Sequence, residues 1–241
     1  MYTPYAPPES VWRLFALTVG CSLLEAVPAV LLGVAIAVAR VRGRPELPPD
    51  LASWLFEMAQ LAGHGIIFFT VYFRGRIVGQ GDVRVGLGYE PISRRPVIRF
   101  MAILFGAYAI LLMFGRYWVG IDFFSKQIVI GATSPWLSLL VALDTVLLVP
   151  LSEELFFRGW LWTGLRKHWG GFSTAALTSL AWIAGHLAGG ARVALVLLPA
   201  AVALSIARHF GGSVRASLAL HILYNFIIVI SPWVLNVGGL L

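Results

Sequence analysis

A chain of 241 residues that is 59% hydrophobic and only 12% charged, with a mean hydropathy of +0.85, does not have the composition of a soluble domain. Its formal charge of +7 is scattered between apolar runs, not gathered in a patch; that argues against a nucleic-acid partner and suits the loops of a polytopic membrane protein. The one cysteine, Cys21, cannot form an intrachain disulfide and lies inside an apolar run, as a packed thiol would.

These properties predict an all-α fold: a helical bundle in the lipid bilayer, one membrane domain over residues 1–241, with about seven to eight transmembrane helices. After a polar, proline-rich lead, the first span is expected over Val11–Ala39. It is too long for a signal-peptide core and lacks a basic lead, so it reads as a retained helix. The second runs over Leu51–Phe73, with Glu57 and His64 seven residues apart on one face. Residues 74–95 form the longest polar segment; their glycines follow no strand, so no phosphate loop is implied. A third span is expected over Pro96–Gly120 and a fourth over Pro135–Phe157. The fifth, sixth and seventh are expected over Phe172–Leu187, Val193–Ala207 and Ser217–Ile230, the last two being short.

Basic residues orient the bundle. One set of loops holds Arg74, Arg76, Arg84, Arg94, Arg95, Arg99, Arg166, Lys167, Arg208 and Arg215. The other holds Arg40, Arg42, Arg44, Arg116, Lys126 and Arg192. The larger set is expected to face the cytoplasm, although the three arginines after the first span argue the other way. The excess of arginine over lysine points to a GC-rich prokaryote, and so to a prokaryotic plasma membrane.

The stretch Leu147–Trp169 carries the most information. An apolar helix runs into Glu153 and Glu154, and Arg158 follows one turn later. Ionisable groups in a membrane helix are costly; they pair, line a wet cavity or do chemistry. Neighbouring residues lie about 100° apart around a helix, so the two acids serve different purposes. Glu154 and Arg158, at i,i+4, form the favoured pair, and Glu153 is left to face another helix. Pro150 cannot bond to the carbonyl of Val146 and is expected to kink the helix above the acids.

Two later helices share this character. His186 stands one turn after Trp182, and His221 and Asn225 share a face at i,i+4. Singly, each is as well explained by hydrogen bonds between membrane helices. Two acids, two histidines and an amide on three helices together favour one convergent site. Glu25, Glu57 and His64 read as structural pairs, Asp144 as a residue near the other membrane face, and His168 and His209 as solvated loop residues. Trp160, Trp162 and Trp169 read as interfacial anchors. The chain contains no HExxH and no GxSxG, and its intramembrane aspartates form no obvious pair.

Glu153-Glu154-x-x-x-Arg158, Trp182-x-x-x-His186 and His221-x-x-x-Asn225, in that order, resemble the three motifs of the CAAX-protease and bacteriocin-processing family of intramembrane proteases, which includes type II CAAX prenyl endopeptidases. The resemblance covers a catalytic core of roughly residues 135–230. It departs at Trp182, where the family more often has phenylalanine, a change expected to alter packing below His186 and not the chemistry. The resemblance implies peptide-bond hydrolysis in a membrane-associated protein or peptide. Glu153 and His186 would activate water, His221 and Asn225 would stabilise the oxyanion, and Glu154 and Arg158 would support the site. No cofactor is expected. The alternative is zinc held by Glu153, His186 and His221, disfavoured because no second acid is apparent near either histidine. A non-catalytic bacteriocin-immunity protein and a transporter are further alternatives.

Overall fold

The computed structural model describes residues 10–92, 106, 134–187 and 190–237. Within them every regular element is helical. The helices are α1 (Val11–Val41), α2 (Pro49–Val78), α3 (Val83–Leu87), α4 (Pro135–Leu165), α5 (Gly171–Gly185), α6 (Ala191–Gly211) and α7 (Val214–Val237). Four are long and apolar enough to cross a bilayer: α1, α2, α4 and, from Val193, α6. The span expected over Pro96–Gly120 lies outside the described residues.

Most helices run past their expected ends. Helix α2 continues through Arg74 and Arg76 to Val78, so part of the expected loop is helical. The rest of that segment makes the short α3, capped by the Asp82 carboxylate, which accepts from the Arg84 N–H at 2.8 Å. Helix α6 was expected to stop at Ala207, before Arg208 and His209; it reaches Gly211 because both polar residues find partners indoors. Arg208 is buried and donates from Nε to the carbonyl of Arg158 at 2.7 Å. The His209 ring lies 5.2 Å from Phe172 and 6.3 Å from Trp162. Arg208 therefore does not belong among the loop charges, and His209 is not a solvated loop residue.

Of the last three helices the shortest is α5, with 15 residues against 21 in α6, the reverse of the expected order. It stops at Gly185, and the chain turns into α6 through Gly190, whose φ of +97° is open to glycine and strained for other residues.

Helix α4 is not a uniform α-helix. Asp144–Leu148 and Glu154–Leu161 adopt the wide π register, with bonds from residue i+5 back to i. Such turns recur at functional sites. All eight residues of the second wide segment are buried. Around it pack Leu14 of α1, Ile67 and Val71 of α2, Leu87 of α3, Trp182 of α5 and Tyr224 of α7. Trp160 and Trp162 are likewise buried, so they are core residues and not interfacial anchors. Cys21 is buried, as expected of a packed thiol. The core of the bundle thus sits around the acids.

Candidate active site

The two glutamates are separated as the helix geometry requires. Glu154 is fully buried, and its Oε1 accepts from Arg158 Nη1 at 3.0 Å. Arg158, also fully buried, reaches the Ala201 carbonyl on α6 with Nη2 at 3.3 Å, and its guanidinium lies 5.3 Å from the centre of the Trp182 ring. Glu153 points instead toward α5 and α7. His186 Nε2 stands 3.9 Å from its Oε1, and His221 Nε2 stands 3.9 Å from its Oε2. Glu153, His186 and His221, from three helices, therefore meet at one place.

The outer nitrogens of the histidines are both engaged. His186 Nδ1 lies 2.8 Å from the Trp182 carbonyl, and His221 Nδ1 lies 3.0 Å from Glu154 Oε1. A carbonyl and an ionised carboxylate only accept, so each Nδ1 carries its proton. A ring in the neutral form then presents a lone pair at Nε2 toward Glu153, and a protonated ring presents a second N–H there. This corrects one expectation: a second acid does stand beside a histidine, namely Glu154 beside His221. Glu154 is thus bound to the site as well as to Arg158.

Trp182 also departs from expectation. Its indole Nε1–H donates to Glu153 Oε2 at 2.5 Å, so the residue acts directly on the acid and not by packing alone.

Asn225 donates from Nδ2 to the carbonyl of Thr145 at 2.7 Å. The cause is Pro150. In the wide register Val149 N–H bonds back to Asp144; the next donor in line, to Thr145, would be residue 150, and proline has none. The carbonyl of Thr145 left free in this way holds Asn225. One amide hydrogen of Asn225 is used in this way, and the other remains.

A second polar group adjoins the first. Asp144 is buried, and its Oδ1 lies 3.1 Å from His64 Nδ1, so it is paired within the bundle. His64 Nε2 lies 4.0 Å from Glu25 Oε1. Gly63 makes this possible, because the Glu25 carbonyl approaches to 2.6 Å from where a Cβ would stand. Glu57 is buried within electrostatic reach of Asp144 and His64, and Glu25 lies within reach of Glu153 and His186. Sequence reasoning read Glu25, Glu57 and His64 as structural pairs, and His64 does stand beside Glu25. Their nearness to the motifs rests on how α1 and α2 pack, which no local spacing records.

Comparison with known proteins bears on the same segment. Residues 134–227 match the family model Rce1-like, type II CAAX prenyl endopeptidase. The segment is similar to a CAAX-protease domain. It holds all three motifs, while α1, α2 and α3 lie outside the matched region. No curated protein and no solved structure matches the chain. Helices long and apolar enough to cross a bilayer, together with this similarity, mark an integral membrane protein.

Two imidazole Nε2 atoms and a carboxylate are chemically suitable for zinc, which leaves a fourth position for water. Zinc ligands at 2.0–2.1 Å in a tetrahedron stand about 3.4 Å apart, against the 3.9 Å found for both nitrogens. As arranged, no group of three His, Cys, Asp or Glu residues among those described could hold a metal ion.

Proposed function

We propose that this protein is an intramembrane endopeptidase in which Glu153 and His186 activate a water molecule against a peptide bond of a membrane-associated substrate. One observation carries the reading: Glu153 Oε1 and His186 Nε2, both acceptors, face each other across 3.9 Å. A water lying about 2.8 Å from each can direct one hydrogen to each. Its lone pairs then point away from both, toward a scissile carbonyl.

Glu153 takes a proton as the water attacks, acting as general base. The carbonyl oxygen gains negative charge, and His221 Nε2 and the spare Asn225 amide hydrogen are the donors for it. That role requires a proton on His221 Nε2 as well as on Nδ1. Glu153 then passes its proton to the leaving amine, and the C–N bond breaks. Glu154 and Arg158 hold His221 and the helix end in place. Substrates of the right kind are a prenylated C-terminal peptide, a bacteriocin leader or a C-terminal sorting tail. The bundle would have seven to eight spans in a prokaryotic plasma membrane, with the acids near the cytoplasmic side.

A zinc-dependent version is the second reading. It is favoured by the partners on both Nδ1 atoms, since metal-bound histidines commonly donate that N–H to a carboxylate or carbonyl. It needs the three donors to close in. A binding protein involved in bacteriocin immunity is the non-catalytic alternative.

The test is mass spectrometry of a membrane-anchored peptide incubated with the purified protein in lipid, alongside Glu153→Gln. Cleavage by the wild type and none by the variant is expected. Equal cleavage by both would overturn the mechanism.

A further inference from the structure

We propose that Trp182 is a positioning residue for Glu153, its indole N–H reserving one carboxylate oxygen so that the other receives the proton. The inference rests on the protease reading above and adds a residue whose role there was expected to be packing.

A carboxylate on a flexible side chain presents two equivalent oxygens and can turn. Trp182 removes that freedom. Its N–H, a donor with a single hydrogen, lies 2.5 Å from Oε2 of Glu153. Oε1 is then the oxygen left facing His186 Nε2. The indole itself cannot move away. It is 2% exposed, its ring centre lies 4.3 Å from that of His186, and the His221 ring stands edge-on to it at 5.9 Å and 81°. The Arg158 guanidinium lies over its face. One side chain thus touches the acid, both histidines and the buried arginine. The shape part of that task is open to any large aromatic residue. The hydrogen bond is not: phenylalanine has no donor. Where the aromatic-x-x-x-His motif carries tryptophan, the base is tethered by an additional bond.

Two substitutions separate donor from shape: Trp182→Phe, and replacement of Trp182 by benzothienylalanine, which has sulfur where indole has N–H. Each is compared with the wild type in lipid for kcat and KM on a membrane-anchored peptide and for melting temperature. A loss of about tenfold in kcat, the scale of one hydrogen bond to a charged group, is expected in both variants. KM should stay within about twofold and melting should be unchanged, because orientation and not binding is lost. Wild-type kcat in the benzothienyl variant would overturn the proposal. Ultraviolet resonance Raman gives an arm that needs no turnover. The wild-type minus Trp182→Phe difference spectrum should show a strongly hydrogen-bonded indole N–H, and in a Glu153→Ala background that signature should weaken. A free indole N–H in the wild type refutes the tether even if peptide is cleaved. Cleavage by Glu153→Gln with the bonded signature intact would instead refute the protease mechanism and leave the tether standing.

Discussion

Asn225 donates to the carbonyl of Thr145 at 2.7 Å, taking the place of a backbone donor that Pro150 lacks. A helix break on α4 thereby fixes a side chain on α7. Pro150→Ala would supply an N–H that competes for the same carbonyl. It is expected to hold or raise the melting temperature, since a helix-interior proline is unfavourable, and to lower kcat by about tenfold as Asn225 loses its anchor. On the proposed mechanism Asn225→Ala removes an oxyanion donor and should cost about 10²–10³ in kcat. Steady-state kinetics with melting curves for both variants checks this; full activity in Pro150→Ala would show that the anchor is dispensable.

The adjacent acids should fail differently. Glu153→Gln is expected to fold normally and to turn over no substrate, because an amide cannot take the water's proton. Glu154→Gln strands Arg158, which is fully buried, and breaking such a pair costs about 3–5 kcal/mol. It also removes the carboxylate that bonds His221 Nδ1 at 3.0 Å, so whatever protein folds should have reduced kcat as well. Melting temperature and kcat measured on both variants would separate the two roles; an unaltered melting curve for Glu154→Gln would contradict the pairing.

The His64–Asp144 contact at 3.1 Å ties α2 to α4. Asp144→Ala leaves the half-buried His64 imidazole without its hydrogen-bond partner and should destabilise the bundle by about 1–3 kcal/mol. His64→Ala combined with Asp144→Ala should cost less than the sum of the two single changes, because each single change already removes the contact. Thermal unfolding in detergent across this double-mutant cycle is the check, and strictly additive losses would mean that the two side chains do not interact.

Metal dependence is decided by analysis and not by residue lists. Purified active protein is expected to contain no stoichiometric zinc and to survive chelation. About one zinc per chain, with activity lost on stripping and restored by zinc, would establish the second reading and keep Glu153, His186 and His221 as the site.

How much was legible depended on whether an interaction is local. Hydropathy marked α1, α2 and α4 because a membrane helix must be apolar over its whole length. The i,i+4 spacing of Glu154 and Arg158, and of His221 and Asn225, put each pair on one face. The motif order located the matched segment. Helix ends were read less well. Arg208 and His209 looked like a loop and instead close α6, because their partners lie on α4 and α5.

By itself, the sequence determined the membrane class, the separation of Glu153 from Glu154 and the set of polar residues available for chemistry, since composition and helical periodicity act along the chain. Only the tertiary structure decided which atoms meet. Trp182 reaches Glu153 across 29 residues, His221 reaches Glu154 across 67, and Asn225 reaches Thr145 across 80. Those contacts depend on how α5 and α7 pack against the wide turns of α4, and no spacing within one helix encodes the angle at which another helix crosses it.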